Sequence, residues 1–193
     1  RRPMTDPTFL AGMLFFFSFY LQAQEKPAFW PAAGAAAGWM LMSKGALSAL
    51  PLGTALLDYL LAPRGKRGPL VAAGTALLLA TPWHVAEWVR HGNAFWTEYI
   101  GFNVLQRAGG SLFTSSEPLF YLRELWSNEG LLLPLFFGGL AAVVWRYVKR
   151  REAADRFLLL WLGVLLVPLQ LSSTRIYHYL LPVLPVLALT AAS

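Results

Sequence analysis

The segment RFLLLWLGVLLVPLQL, residues 156 to 171, decides the fold class of this chain. No charged residue follows Arg156 in it, and Phe157 and Trp161 lie near its start. Apolar runs of about 15 to 17 residues reach roughly the 20 that a helix needs to cross a bilayer once their aromatic ends are counted. Several such runs occur along the chain, which predicts a polytopic membrane protein.

The composition agrees with this class and excludes others. Of the 193 residues, 56% are hydrophobic and 13% are charged, and the mean hydropathy is +0.49, which leaves no soluble domain. The net charge is +6, but the basic residues lie in short loops and form no face that could follow a nucleic-acid backbone. Nucleic acid is therefore not an expected partner. The absence of cysteine excludes disulfides and thiolate chemistry.

We predict an all-α, polytopic transmembrane bundle in one transmembrane domain, residues 1–193, with about seven spans. Lys and Arg mark the cytoplasmic loops, so the loops that contain Lys26, Arg64 to Arg67 and Arg146 to Arg156 face the cytoplasm. The other connections then share the outer side, and the C-terminus lies inside. The predicted spans are roughly 8–24, 28–43, 46–62, 69–83, 130–145, 157–171 and 177–191.

The segment from about 84 to 129 is the longest outer connection, and loops of this length are usually functional. Its first part, residues 87–107, mixes aromatic and charged side chains, which predicts a helix lying in the membrane interface and ended by Gly109-Gly110. A second short interfacial helix is expected after Pro118.

Cations in the outer segments are the first candidate functional residues. A charge at the bilayer centre costs about 2.5 to 3.5 kcal/mol, so we expect Lys44 and Arg175 near the interface or facing a polar cavity. A lipid-linked phosphate or pyrophosphate fits such a site, because Arg binds phosphate oxygens in a bidentate manner. The alternative is that each cation only extends to lipid headgroups. Arg175 with His178 favours the site, because an anchor alone does not require a histidine.

Asp6 is the only carboxylate of the first outer segment, and Thr5-Asp6-Pro7 is typical of a helix N-cap. No pair stands out among the carboxylates of the long loop. His84 and His91 are seven residues apart and could share a helix face, but a zinc site without cysteine would also need carboxylates. No cofactor is predicted, and a divalent metal is left open.

Six stretches of the chain, in order, resemble the multi-spanning glycosyltransferases of the dolichyl-phosphate-mannose protein mannosyltransferase superfamily, in the bacterial branch that includes aminoarabinose transferase. Each stretch alone is weak, and the order of all six carries the resemblance. They are MTDPTFL (4–10), SKG (43–45), PWH (82–84), HGNAFWTEYIGFNVLQR (91–107), EPLFYL (117–122) and STRIYHYLLPVLPVLAL (173–189).

The resemblance implies a GT-C architecture in which a helical bundle holds a polyprenyl-phosphate sugar for reaction at the outer face. Asp6 matches an acidic residue near the donor, which favours donor positioning over a mere cap. Arg107 and Arg175 match basic positions of the family. The expected donor-phosphate site therefore comprises Lys44, Arg107, Arg175 and His178, with Arg90, Tyr121 and Tyr179 as secondary candidates.

Two features depart from the family pattern. The outer loop that carries the family's catalytic aspartate would precede Arg1, so we expect the chain to be a fragment, lacking the N-terminal spans and inactive alone. Leu135 in LLLPLFF stands where many members have Trp, which bears on packing or on the fit of the acceptor.

The expected function is a mannosyltransferase-like glycosyltransferase of the bacterial inner membrane. It would pass a sugar from a polyprenyl-phosphate donor to a lipid or protein acceptor at the periplasmic face. The alternative is a transporter or flippase of lipid-linked or anionic substrates, but such proteins place polar residues near the midplane, and no inverted repeat is seen here. A noncatalytic scaffold leaves the long polar loop unexplained.

Overall fold

A computed structural model of the protein describes residues 6–62, 65, 67–106, 117, 119–172 and 175–192. The regular structure of these residues is entirely helical, which confirms the all-α prediction, and the chain forms two compact units, Arg1–Gln106 and Arg107–Ser193. The α-helices are α1 (Asp6–Glu25), α2 (Trp30–Lys44), α3 (Ala49–Leu61), α4 (Arg67–His91), α5 (Asn93–Trp96), α6 (Phe120–Glu129), α7 (Leu133–Arg150), α8 (Ala153–Leu171) and α9 (Leu184–Ala191). A π-helix, Thr97–Gln106, continues α5, and 3-10 turns cover Pro27–Phe29, Gly45–Ser48, Gly130–Leu132 and Tyr177–Leu180.

Helix α1 packs against α2 through one aromatic face. Phe9, Met13, Phe16 and Tyr20 recur every three or four residues and are all buried, as expected for one stripe of a helix. Gly12 lies opposite Met40 of α2, and a Cβ at Gly12 would lie 3.1 Å from the Met40 side chain. The lack of a side chain at residue 12 thus lets the two helices approach closely.

Helices α2 and α4 pack through small residues, as the sequence Gly34-Ala-Ala-Ala-Gly38 predicts. A Cβ at Gly34 would lie 2.3 Å from the carbonyl oxygen of Ala72, and one at Gly38 would lie 3.2 Å from that of Ala76. Since residues later in α2 meet residues later in α4, the two helices run in the same direction.

Two polar contacts fix the direction of the other helices of this unit. Lys44, at the end of α2, reaches Asp6 at the start of α1, so α1 and α2 are antiparallel. Tyr20, late in α1, donates hydrogen bonds to the Ala55 carbonyl (3.0 Å) and to Oδ2 of Asp58 (2.9 Å), so α3 returns alongside α1. The start of α1 and the ends of α2 and α4 therefore share one end of the unit.

The second unit is built on the antiparallel pair α7 and α8. Arg151 takes a left-handed conformation (φ 55°) at the end of α7, and Asp155, buried in the first turn of α8, accepts a 2.7 Å hydrogen bond from Nη2 of Arg146. Helix α9 crosses α7 so closely that a Cβ at Gly139 would lie 2.1 Å from the Thr190 carbonyl oxygen.

Each predicted span overlaps a helix, and most of the predicted span ends agree with the helix ends in the structure. In the described part of the chain, four segments are long and apolar enough to cross a membrane: Pro27–Leu61, Arg67–His91, Phe120–Arg150 and Ala153–Leu171. The first of these contains both α2 and α3, which the turn at Gly45 separates into two helices of opposite direction. Helices α1 and α9 fall outside these four segments, so the number of crossings stays a prediction.

Two boundaries were wrong. The predicted span 69–83 continues as α4 to His91, because the residues after Pro82 keep the helix until Gly92, which takes a φ of +56° that favours glycine. The predicted span 177–191 is helical as α9 only from Leu184, since Pro182 and Pro185 delay its start. Of the predicted interfacial helix at 87–107, residues 87–91 belong to α4 and residues 93–106 form a separate helical segment, while a helix after Pro118 is found at 120–129. Their location in the membrane interface stays a prediction, and Gly109-Gly110 lies outside the described residues.

Candidate functional site

An ion pair between Asp6 and Lys44 forms the centre of the candidate site in the first unit. The Lys44 ammonium lies 2.9 Å from Oδ1 of Asp6, and the two side chains are only 17% and 11% exposed, respectively. Asp6 lies in the first turn of α1 and Lys44 in the last turn of α2, where the helix dipoles favour a carboxylate and an ammonium respectively. The structure thus brings together two of the predicted site residues.

Gly45 follows Lys44 and reverses the chain toward α3. It takes a φ of +53°, and a Cβ at this position would lie 2.8 Å from the Tyr99 hydroxyl oxygen and 3.2 Å from Cζ. Glycine is required here for two reasons: the conformation is unfavourable for other residues, and the phenol fills the space of a side chain. The turn that carries Lys44 therefore rests against Tyr99.

Tyr99 belongs to the π-helix, a conformation often found at functional sites. Its hydroxyl oxygen lies 2.9 Å from Nε2 of His84, and Nδ1 of His84 lies 2.7 Å from the Ala80 carbonyl oxygen. Since a carbonyl only accepts, Nδ1 carries a proton, and in the neutral ring Nε2 accepts the hydrogen bond that Tyr99 donates. Burial raises the pKa of the Tyr99 phenol, which keeps this donor protonated.

Aromatic rings surround the His84–Tyr99 pair. Phe95 stacks on Tyr99 with ring centroids 5.2 Å apart, and Trp83 meets Phe95 edge-on at 6.0 Å. Trp96 contacts both Phe95 (4.9 Å) and Tyr99 (6.3 Å) edge-on. These rings limit the rotation of the phenol and fix its hydroxyl between His84 and Gly45.

In the second unit, Arg175 is bound mainly by main-chain oxygens. Its Nε and Nη2 donate to the carbonyls of Ser172 (3.3 Å) and Gln170 (3.1 Å), which are orphan acceptors at the C-terminus of α8, and Nη1 donates to the carbonyl of Glu117. Among the described residues, these contacts use three of the five guanidinium N–H groups. Sequence reasoning placed Arg175 at the phosphate and missed this capping role.

Tyr121 lies close enough to both Arg175 and Tyr179 to interact with them electrostatically. Tyr121 is 2% exposed, and its hydroxyl faces the backbone of Ile176 without reaching full hydrogen-bond geometry. His178 is half-buried and packs edge-on against Tyr179, with ring centroids 5.3 Å apart. The structure thus places Tyr121 near Arg175 and Tyr179, and packs Tyr179 against His178.

Arg90 is not brought into these clusters. The Arg90 side chain is 72% exposed on α4 and lies 3.8 Å from Glu87, which also pairs with His91 at 3.4 Å. Arg107 lies outside the described residues. Within the described ranges, no three His, Asp or Glu side chains converge to hold a metal ion, and the metal question stays open.

Comparison with known proteins identifies relatives, although no family model and no solved structure matches the chain. The chain is 33% identical over 173 residues, 84% of its length, to a protein of Pseudomonas savastanoi pv. phaseolicola. It is 30% identical over 177 residues, 88% of its length, to one of Pectobacterium carotovorum. Both are named undecaprenyl phosphate-alpha-4-amino-4-deoxy-L-arabinose arabinosyl transferase.

The chain is a homologue of part of these arabinosyl transferases. A third arabinosyl transferase, from Pseudomonas fluorescens, is 29% identical over 83% of the chain. The chain spans 29% to 31% of the length of these three transferases. The resemblance inferred from six short stretches is therefore confirmed.

Those six stretches meet within their own units. Four of them belong to the first unit and are joined by the contacts between Asp6 and Lys44, Gly45 and Tyr99, and Tyr99 and His84. The other two belong to the second unit and are joined by the bond from Arg175 to Glu117. Stretches that carried the arabinosyl-transferase resemblance by their order along the chain thus contact one another within each unit.

Sequence reasoning missed Tyr99 and considered His84 only as a metal ligand. The available signal was the adjacency of His84 to Trp83 and of Tyr99 to the other aromatic residues of the loop. That pattern was interpreted as an interfacial helix, which explains aromatic rings without assigning a role to a particular hydroxyl.

Proposed function

We propose that this chain forms part of a glycosyltransferase that takes a sugar from an undecaprenyl-phosphate-linked donor at the periplasmic face of the inner membrane. Homology to arabinosyl transferases named for such a donor supports the donor class. The Asp6–Lys44 pair carries the proposal, because it presents a carboxylate and an ammonium together at the ends of two helices.

In the proposed reaction an acceptor hydroxyl attacks the anomeric carbon of the donor sugar. The new carbon–oxygen bond forms as the bond from that carbon to the phosphate oxygen breaks, and the leaving group is undecaprenyl phosphate. The phosphate gains negative charge in the transition state, so preorganised cations lower the barrier. Lys44 supplies one such cation.

Asp6 has a different part in this scheme. Its carboxylate holds the Lys44 ammonium in place before the donor binds, and it then lies within reach of the sugar that the phosphate carries. Asp6 therefore positions the donor. The proton of the acceptor hydroxyl passes to a base, which the family resemblance expects in an outer loop preceding residue 1.

The test uses membranes that contain the complete protein in which this sequence occurs, supplied with donor labelled in the sugar. Lys44→Met is compared with Lys149→Met, an exposed lysine that likewise lies in the last turn of a helix. We expect Lys44→Met to lower transfer of label about 100-fold or more, the usual effect of losing one preorganised charge contact, and Lys149→Met to leave it unchanged. Equal transfer by the two variants would remove Lys44 from the site, and no transfer by the unsubstituted protein would refute the activity.

A further inference from the structure

We propose that Tyr99 and His84 are positioning residues for Lys44: the Tyr99 hydroxyl, oriented by His84, supports the turn at Gly45 and thereby keeps the Lys44 ammonium at Asp6. This inference rests on the proposed function for its significance. Its geometry, however, is independent of any ligand.

Tyr99 contacts the turn at Gly45 directly. The Tyr99 hydroxyl oxygen occupies the space next to the Gly45 backbone, 2.8 Å from the Cβ position, in a turn of unusual φ. Glycine takes this φ without strain, but it takes many other conformations as readily, so the turn keeps one conformation only if its surroundings select it. The phenol is one such surrounding group, and Lys44 is the residue directly before this turn.

His84 orients the Tyr99 hydroxyl. Its Nδ1–H is bound to the Ala80 carbonyl at 2.7 Å, one turn earlier in the same helix, so the ring orientation is fixed from within α4. Nε2 then offers one acceptor to Tyr99 at 2.9 Å. If the Tyr99 hydroxyl only filled space, it would not need a hydrogen-bond acceptor on a histidine ring whose tautomer is fixed by a second bond.

Lys44 depends on this support to keep its position. An ammonium on a four-carbon chain has many rotamers, and fixing one of them costs conformational entropy. The backbone at Lys44 must therefore be held if the ammonium is to stay at 2.9 Å from Asp6. Support from Tyr99 on the adjacent residue serves that purpose.

The experiment measures the reactivity of individual lysine amines toward isotopically labelled acetic anhydride, by peptide mass spectrometry of the purified complete protein. Lys44 is shielded and paired, whereas Lys26 and Lys149 are exposed and serve as internal controls. Tyr99→Phe removes only the hydroxyl and keeps the ring that stacks on Phe95. We expect the labelling rate of Lys44 to rise about 2- to 12-fold, the range expected for one hydrogen bond, with the two controls unchanged.

A pair of variants at His84 separates positioning from general packing. His84→Gln retains an acceptor for Tyr99 and a donor for Ala80, so Lys44 should stay protected. His84→Leu removes both groups and should expose Lys44 as Tyr99→Phe does. Unchanged Lys44 labelling in Tyr99→Phe and His84→Leu overturns the proposal. An equal rise at Lys44, Lys26 and Lys149 also overturns it, because the effect is then not specific to Lys44.

The same preparations distinguish this inference from the proposed function. Lysine labelling requires neither donor nor turnover, so it reports on positioning even if no sugar is transferred. If the transferase is active, undecaprenyl phosphate should bind Tyr99→Phe more weakly by about the same factor as the rise in Lys44 labelling. If Lys44 labelling rises while the affinity for undecaprenyl phosphate is unchanged, Tyr99 positions Lys44. Its role in donor binding is then refuted.

Discussion

Arg175 completes a helix end with part of its guanidinium group. Its bonds to the Gln170 and Ser172 carbonyls satisfy acceptors that α8 leaves open, and it also binds the carbonyl of Glu117. Substitution of Arg175 should therefore affect stability as well as any binding of phosphate.

We predict that Arg175→Ala lowers the free energy of unfolding by about 1.5 to 3 kcal/mol, because carbonyls bound by a charged donor lose it. Thermal unfolding of the purified protein without donor measures this effect.

Arg123→Ala is the matched control for Arg175→Ala. Arg123 also binds Glu117, through a 2.6 Å bond to Oε1, but both side chains are about half exposed, so its loss should cost about 0 to 1 kcal/mol. If Arg175→Ala unfolds at the same temperature as Arg123→Ala, the capping role of Arg175 is wrong.

Residue types in the sequence selected candidate cations but not their partners. Lys44 and Asp6 were both selected, yet their pairing depends on the antiparallel packing of α1 and α2, which no local pattern specifies. Tyr99 was missed because its hydroxyl meets Gly45 and His84 only after α4 turns back at Gly92 into the π-helix. Such contacts depend on tertiary structure.

Among the helices, glycines that contact a neighbouring backbone differ sharply from glycines that do not. A Cβ at Gly139 of α7 would lie 2.1 Å from the Thr190 carbonyl oxygen of α9, while one at the adjacent Gly138 would meet nothing within 4 Å. The same substitution at these two positions therefore has opposite expected effects.

We predict that Gly139→Ala destabilises the protein by about 1 to 3 kcal/mol, because backbone cannot move aside as a flexible side chain can. Gly138→Ala should be neutral or stabilising by up to about 1 kcal/mol, since alanine favours the helix. Thermal unfolding of both variants in the same detergent decides the point, and equal melting temperatures would mean that α9 does not pack on α7 at Gly139.

The apolar runs predicted the helices well, and their ends less well. Helix α4 continued beyond the apolar run because Trp, His and Glu side chains are compatible with a helix that leaves the bilayer, so loss of hydropathy does not mean loss of helix. Helix α9 began late because Pro182 and Pro185 lack the N–H groups that a helix interior needs. Hydropathy predicts burial in lipid, whereas backbone chemistry determines where a helix starts and stops.

For the whole molecule, the charge distribution predicts one orientation in the membrane. The α7–α8 turn carries a concentration of Lys and Arg, whereas the turn at Gly92 lies in the long segment that the sequence places outside. The chain has no cysteine, so a single introduced cysteine can report on either turn without a background.

We predict that Glu152→Cys is labelled by a membrane-impermeant maleimide only after the cells are opened, and that Ala94→Cys, at an exposed residue just after the turn at Gly92, is labelled in spheroplasts. The reason is that positive loops are retained in the cytoplasm. The reverse pattern of labelling would place the Asp6–Lys44 pair on the cytoplasmic side and refute the proposed periplasmic site.

The shortness of α3 has a consequence for the bilayer itself. Its 13 residues extend about 20 Å, whereas the hydrocarbon core is about 30 Å thick. Such hydrophobic mismatch is relieved when the lipid next to a short helix thins. We expect the outer leaflet to dip beside α3, which lowers the plane of lipid phosphates toward Lys44. A lipid-linked donor diffusing along that side could then present its phosphate without being lifted out of its leaflet.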